Sequence, residues 1–250
     1  MILTLVGTGT GVPSRHRNPA CVLIKSGNKR LVFDSGPGTL RTLLRFGVDC
    51  FNVDFLFYTH FHMDHVSDLG AMLFAAKIPP VIRKKDLVVY GPKGLKGYYD
   101  KLRELYKNTL SSDAYKLTLE EIENTSLEIE GLKISTMTLK HHGGGMGYRI
   151  VSPEGKVIVY SGDTGYCDEI VELSKEADLC IMECSFPDEM KMDGHLTPLD
   201  VGRIASRADV KKVVLVHMYP ICDQYDLLTP CRKEFNGEVM LGKDLTEFEI

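Results

Sequence analysis

No stretch of the 250-residue chain approaches the ~20 consecutive apolar residues needed to span a bilayer, so a membrane-embedded protein is not expected. The N-terminal Met1-Ile2-Leu3-Thr4-Leu5-Val6 runs straight into glycines. It has no basic segment, long apolar stretch or small-residue cleavage site, so no export signal is expected. There is no C-x-x-C pair either. The seven cysteines (Cys21, Cys50, Cys167, Cys180, Cys184, Cys222 and Cys231) are odd in number and scattered. That pattern speaks against a disulfide framework or a structural zinc knuckle, and for reduced thiols in a cytoplasmic protein. Positive charge is not in excess: the formal net charge is −4. Nucleic-acid binding draws on Lys and Arg contacts to phosphate, so a nucleic-acid substrate would need a local basic patch. No low-complexity linker or internal repeat interrupts the chain, and 44% of its residues are hydrophobic. One compact domain over residues 1–250 is expected.

Short apolar, β-rich runs alternate with segments of helical period. Ile2 to Val6, Ala20 to Lys25 and Arg30 to Phe33 are predicted strands, and Gly38 to Phe46 a helix on the spacing of its leucines. The continuously apolar Asp54-Phe55-Leu56-Phe57-Tyr58-Thr59 has the character of a strand buried on both faces. Val66 to Lys77 is predicted as a helix that Pro79-Pro80 ends. A strand at Leu87 to Tyr90, a charged amphipathic helix over Leu95 to Asn108 and a strand at Ile134 to Leu139 follow. Helices are predicted over Asp168 to Ser174 and Pro198 to Arg207. In the second half, Val157-Ile158-Val159-Tyr160 leads into Ser-Gly-Asp-Thr, Leu179-Cys180-Ile181-Met182 into Glu183, and Val213-Val214-Leu215-Val216 into His217. Each strand thus ends in a residue capable of chemistry, where open α/β sheets place their sites.

The segment His60-Phe61-His62-Met63-Asp64-His65 puts three imidazoles and a carboxylate within six residues, directly after an apolar strand. In an extended loop, residues two apart point the same way, so His60 and His62 suit one metal while Asp64 and His65 turn toward another. Imidazole and carboxylate are ligands of catalytic zinc, iron and manganese sites that keep a position open for water.

His60-x-His62-x-Asp64-His65 after an apolar strand resembles the signature of the metallo-β-lactamase superfamily, and further matches follow in order. His141-His142-Gly143-Gly144-Gly145-Met146-Gly147-Tyr148-Arg149 resembles the motif of the next ligand; the usual spacing to the tyrosine selects His141 and leaves His142 outside the ligand set. Ser161-Gly162-Asp163-Thr164 resembles the bridging-aspartate motif, and Leu215-Val216-His217 the last ligand motif. The resemblance implies an α/β fold of the four-layer αββα sandwich type. It also implies two divalent metal ions, zinc by preference with manganese or iron as alternatives. One would be held by His60, His62 and His141, the other by Asp64, His65 and His217, with Asp163 between them. Two ions about 3.5–4 Å apart share and activate a water, so hydrolysis is the expected chemistry. Asp34-Ser35-Gly36-Pro37-Gly38 resembles the early Asp-x-Gly turn of the family, in which Asp34 supports the ligand loops.

Within the superfamily, His195-Leu196-Thr197-Pro198 together with Glu183-Cys184-Ser185 resembles the phosphodiesterase group that includes ribonuclease Z. There His195 would protonate the departing alkoxide and Glu183 would fix its tautomer, which counts both with Asp64 as catalytic residues. A phosphodiester, as a small or cyclic molecule or an RNA 3′ end, is the expected substrate, and a homodimer the expected assembly. Two departures put tRNA in doubt. No Gly/Pro/Lys-rich insertion suits a tRNA-binding arm, and Met218-Tyr219-Pro220 follows His217 where ribonuclease Z has a Ser and an Arg-Tyr pair. Carboxylic ester, lactone or thioester hydrolysis is the alternative chemistry, and a non-catalytic metal-binding scaffold the third class. Di-iron oxygen chemistry expects Glu where His62 stands. Gly7-Thr8-Gly9-Thr10-Gly11 fits neither the G-x-G-x-x-G fingerprint nor a P-loop. Arg15, His16 and Arg17 form either a solvated basic loop or a phosphate contact.

Overall fold

The computed structural model describes residues 1–107 and 109–250. In chain order its strands and helices are β1 (Ile2–Gly7), β2 (Cys21–Ser26), β3 (Lys29–Phe33), α1 (Thr39–Leu44), β4 (Phe55–Phe57), α2 (Met63–Val66), α3 (Asp68–Ala75), β5 (Leu87–Gly91), α4 (Leu95–Leu105) and β6 (Leu117–Glu121). There follow β7 (Ser126–Ile129), β8 (Leu132–Leu139), β9 (Gly145–Val151), β10 (Val157–Tyr160), α5 (Asp168–Leu173), β11 (Leu179–Glu183), α6 (Pro198–Arg207), β12 (Lys212–Val216), α7 (Leu228–Glu234), β13 (Glu238–Leu241) and β14 (Glu247–Glu249). Contacts divide the chain into two compact units. One comprises Met1–Gly7, Asn18–Ile122 and Leu245–Ile250, the other Thr8–Arg17 and Glu123–Asp244.

The first unit carries a seven-stranded sheet in the order β14-β1-β2-β3-β4-β5-β6. Its early strands pair antiparallel, whereas β3 to β6 pair in parallel. Parallel neighbours need long crossovers, and α1, the α2–α3 pair and α4 supply them. The core follows the period-two pattern of a strand: Cys21 and Leu23 of β2 face the same way as Val32 and Leu56. They cluster with Leu43 of α1, Val66 of α2 and Leu69, Met72 and Leu73 of α3. Each such buried aliphatic contributes about 1.5–3 kcal/mol.

The second unit has its own seven-stranded sheet, in the order β13-β12-β11-β10-β9-β8-β7. Strands β10 to β13 run in parallel, while β7 to β10 are antiparallel. Alternate residues of the parallel strands, Val157 and Val159, Cys180 and Met182, Val213 and Leu215, pack with Ile170 of α5, Val201 and Ile204 of α6 and Cys231 of α7. The residues between them, Ile158, Ile181 and Val214, are buried as well. This is why these strands read as unbroken apolar runs.

The helix predicted over Val66 to Lys77 is corrected in two respects. It starts earlier, at Met63, so Asp64 and His65 sit on a helical turn rather than in an extended loop. It is also split at Ser67 into α2 and α3. The split has a local cause: the Asp68 N–H donates to the Ser35 carbonyl at 2.9 Å instead of continuing the helical ladder. The strand predicted over Asp54 to Thr59 shrinks to Phe55–Phe57. The helix expected from Leu95 ends at Leu105, and Asn108 lies outside the described residues. Pro198–Arg207 forms the helix expected there, with Thr197 and Asp200 closing a capping box and proline at its first position.

Among the described residues no helix is long and apolar enough to cross a membrane, and the seven cysteines form no disulfide. Burial pushes the Cys180 and Cys231 thiols up to about 12 and the Cys222 thiol up to about 11. These groups stay protonated at neutral pH and serve as packing.

Arg83 is the largest fully buried side chain, at 1% exposure. Its guanidinium donates to the backbone carbonyls of Cys50, Val53, Lys85 and Asp86, tying the loop before β4 to the loop before β5. Arg83→Met keeps length but removes every donor and leaves those carbonyls without that partner. A loss of about 3–5 kcal/mol is expected in urea unfolding, with the denaturant slope unchanged. A loss below about 1 kcal/mol would refute the role given to this arginine.

Candidate active site

Each unit presents polar residues at the carboxyl ends of its strands. In the first unit, β4 ends at Phe57 and the chain continues through Tyr58 and Thr59 into His60. His60 and His65 are almost fully buried, His62 is exposed and Asp64 half-buried. The His60 ring lies 4.5 Å from that of His62 and 4.2 Å from that of His65.

Asp34 organises this group. Its backbone adopts a left-handed φ of 58°, which Asp tolerates better than most residues. Its carboxylate accepts the Thr59 N–H at 2.8 Å, the Thr59 hydroxyl at 2.9 Å and His65 Nδ1–H at 2.8 Å. The Thr59 hydroxyl has one proton and gives it to Asp34, so at 2.9 Å it accepts from His60 Nδ1. Both rings therefore carry their proton on Nδ1 and their lone pair on Nε2. Gly36 is needed for a different reason: a Cβ there would stand 2.1 Å from the Asp64 carbonyl oxygen. Replacing Asp34 by Ala removes all these acceptors and puts a less tolerant residue at positive φ. About 3–5 kcal/mol of stability should be lost in chemical denaturation, and Asp34→Asn should lose less than half of that. Equal losses in the two variants would contradict this account.

In the second unit, His141 follows β8, Asp163 follows β10, Glu183 closes β11 and His217 follows β12. The His141 side chain is 2% exposed and its Nδ1 lies 2.9 Å from the Gly194 carbonyl. A carbonyl can only accept, so Nδ1 bears the proton and Nε2 the lone pair. Asp163 faces two rings with two different oxygens: Oδ2 is 3.9 Å from His141 Nε2, and Oδ1 is 3.4 Å from His217 Nε2. His142 lies 71% exposed, 3.6 Å from Asp193. His217 has a left-handed φ of 54°, which ends β12 and turns the side chain out of the strand's alternation.

Asp163, His195 and His217 each offer a ligand atom within 4.8 Å of the others. The donor set of nitrogens and carboxylate oxygens fits a borderline divalent ion. Cys184 is not part of this grouping, and burial holds its thiol well above its ordinary range. His195 sits two residues ahead of the α6 cap, and its Nδ1 is 2.9 Å from Glu183 Oε1. Glu183, 1% exposed, also accepts the backbone N–H groups of Thr164, Ser185 and Leu196 and the Ser185 hydroxyl. Phe186 and Tyr219 stack at 4.6 Å, and the His195 ring meets both edge-on. Arg17 is committed to an ion pair with Asp223 at 2.5 Å, while Arg15 and His16 are exposed.

Sequence reasoning gave no role to Thr59, Ser185 or Gly194, the partners of three histidine Nδ1 atoms. Ser185 had a usable signal, standing two residues past a strand-end Glu. Gly194 acts through a backbone carbonyl, which side-chain patterns do not reveal.

Comparison with known proteins bears on these two groups. Ribonuclease Z of Methanosarcina acetivorans is 27% identical over 302 aligned positions, covering 99% of this chain and 97% of the relative. The probable metallo-hydrolase YhfI of Bacillus subtilis is 28% identical over 247 positions, covering 97% of each chain. The crystal structure of that YhfI, described as a metallo-β-lactamase fold protein, superposes with a TM-score of 0.87 at 25% identity, covering 100% of this chain and 98% of the other. The short form of human tRNase Z gives 0.82 at 24% identity, over 100% and 99%, a likeness of fold. The model of the β-lactamase superfamily domain matches residues 29–218, from β3 through the last strand-end histidine and so most of the chain. Two mixed sheets flanked by helices, strand-end histidines and aspartates in the expected order and this match together make the chain a member of the metallo-β-lactamase superfamily.

Proposed function

We propose that the protein is a metal-dependent phosphodiesterase that works with two divalent metal ions, zinc first among them. The ligands are His60, His62 and His141 for one ion, Asp64, His65 and His217 for the other, and Asp163 for both. Support comes from superfamily membership and from the chemistry within each unit, where His60, His65 and His141 carry their lone pair on Nε2. Bound ions activate water and offset charge developing on phosphate oxygens. Both units belong to a single hydrolase domain over residues 1–250 in this reading, and the family match runs through both.

The observation that carries the phosphodiesterase reading is the pairing of His195 with Glu183 at 2.9 Å, beside Asp163 and His217. A phosphodiester leaves as an alkoxide, which needs a proton, and a held imidazole delivers one. Glu183 fixes the ring with Nδ1 protonated, so Nε2 is the atom that holds and passes the proton. Esters and thioesters have less need of such an acid. Asp64 acts with these two as a catalytic residue.

A small or cyclic phosphodiester is favoured over precursor tRNA. The alignment with ribonuclease Z runs over 302 positions against the 250 residues here, so the relative has segments with no counterpart in this chain. The alignment with YhfI needs no such excess. Among the basic residues near Pro13, Arg17 is already balanced by Asp223. A cytoplasmic location is part of the proposal, supported by seven cysteines in no disulfide, and so is a homodimer.

Zinc-loaded and manganese-loaded protein should be assayed on bis-p-nitrophenyl phosphate, on 2′,3′- and 3′,5′-cyclic nucleotides, on a precursor tRNA and on a thioester and lactone panel. Metal-dependent cleavage of the phosphodiesters is expected. Turnover confined to the esters would replace this reading with the alternative hydrolase, and inactivity on all of them would end it.

A further inference from the structure

We propose that Ser185 is a positioning residue that joins the acid histidine and the strand-end histidine His217 into one hydrogen-bonded unit through Glu183. The inference rests on the phosphodiesterase reading above and extends it to a residue with no role so far. Ser185 Oγ lies 2.6 Å from Glu183 Oε2, 3.0 Å from His217 Nδ1 and 3.2 Å from His195 Nδ1. A hydroxyl has one proton and two acceptor lone pairs. The carboxylate can only accept, so the Ser185 proton goes to Glu183 Oε2, at a distance typical of a hydrogen bond to a charged acceptor. Oγ must then receive the proton of His217 Nδ1, which leaves the His217 lone pair on Nε2, the atom 3.4 Å from Asp163 Oδ1. His195 Nδ1–H is shared, mainly with Glu183 Oε1 at 2.9 Å and more weakly with Ser185.

One carboxylate therefore serves two imidazoles. Oε1 holds His195 directly, while Oε2 reaches His217 through the serine hydroxyl. Ser185 itself is held on both sides: its N–H donates to Glu183, its carbonyl accepts the Tyr219 N–H at 3.3 Å and the Cys222 thiol at 3.2 Å, and the residue is fully buried. A partner that orients a ligand histidine from behind, and raises its basicity by passing on negative charge, typically changes metal affinity by about 10–100-fold. The same hydroxyl steadies the carboxylate that aims the proton donor. Its loss should therefore register in two measurements that otherwise have no reason to move together.

The test compares wild type, Ser185→Ala, Ser185→Thr, Ser185→Val and His195→Ala. Zinc affinity is read by competition with a chromophoric chelator, and kcat is read on aryl and alkyl phosphodiesters of graded leaving-group pKa. Ser185→Ala and Ser185→Val should bind the weaker zinc equivalent about 10–100-fold less tightly and show a steeper dependence of kcat on leaving-group pKa. Ser185→Thr, which keeps the hydroxyl, should recover both. His195→Ala should steepen the leaving-group dependence while holding zinc as wild type does. Thr and Val are close to isosteric, so this pair decides the question even if the alanine variant does not fold. A valine variant with wild-type zinc affinity, or one altered in only one of the two measurements, overturns the shared role. Should wild type cleave no phosphodiester, the functional reading fails by itself, and the zinc comparison still judges the link from Ser185 to His217.

Discussion

Asp163→Asn is expected to reduce the bound metal from two equivalents to one or fewer and to lower kcat/KM by about 10²–10⁴-fold. That factor corresponds to the several kcal/mol a catalytic ion supplies, at 1.4 kcal/mol for each tenfold. The two oxygens of Asp163 face the Nε2 atoms of His141 and His217 separately. In the amide, one of these positions becomes an NH2 group, which donates and cannot ligate. It would hydrogen-bond to the very lone pair that a cation needs, so the substitution adds a competitor as well as removing a charge. Shape is nearly conserved, so the metal-free proteins should share nearly the same thermal midpoint, while added metal should raise that of wild type more. Metal analysis after dialysis, set beside kinetics on bis-p-nitrophenyl phosphate, checks this; two retained equivalents with full turnover would remove Asp163 from the proposed site.

The second large effect falls on His195. His195→Ala should cost about 10²–10⁴ in kcat for phosphodiesters that lose an alkoxide, the range contributed by a positioned general acid. For p-nitrophenyl substrates, whose leaving group needs no proton, the loss should be under about tenfold. KM should move little in either case, because proton delivery acts in the transition state. Glu183→Gln should follow the same pattern at smaller amplitude, since the amide still accepts from His195 Nδ1 through one oxygen but supplies no charge. If His195→Ala slows both substrate classes equally, proton donation is the wrong role. The residue would then belong with the ligands, a reading its 4.8 Å grouping with Asp163 and His217 also allows.

The strands that end in chemistry were the most legible part of the sequence. Val157–Tyr160, Leu179–Glu183 and Lys212–Val216 fall within a residue of their apolar runs, because burial on both faces leaves no polar position inside them. The helix Pro198–Arg207 was equally plain, announced by Thr197, Pro198 and Asp200. Strands with exposed positions were not seen: Leu117–Glu121 alternates weakly and ends in two exposed glutamates, and Glu247–Glu249 is three residues long. The Gly145–Val151 strand was not predicted either, because Gly145 and Gly147 weaken its strand pattern. At the candidate site, the residue types and their order were legible. The tertiary hydrogen bonds were not: the pull of Ser35 on the Asp68 N–H, which divides the helix after His65, joins residues far apart in sequence and leaves no periodic trace.

The parallel strands β10, β11 and β12 have one more consequence. Their registers pair Tyr160 with Ile181 and Glu183 with Val216, so Asp163, Glu183 and His217 emerge from neighbouring lanes of one sheet. Neighbouring strands lie about 4.8 Å apart and advance about 3.3 Å per residue. The grid thus sets the separations of these groups, much as ruled paper sets the spacing of lines. Loops and helices elsewhere in the second unit can lengthen, shorten or change character without redrawing it. A two-residue slip of β12 against β11 would carry His217 about 6.6 Å along the strand while every apolar side chain kept its face. A chain slipped in this way would keep its buried faces and lose the grouping proposed as the site. The spacing of that grouping is therefore held by the middle of the sheet and not by its edges.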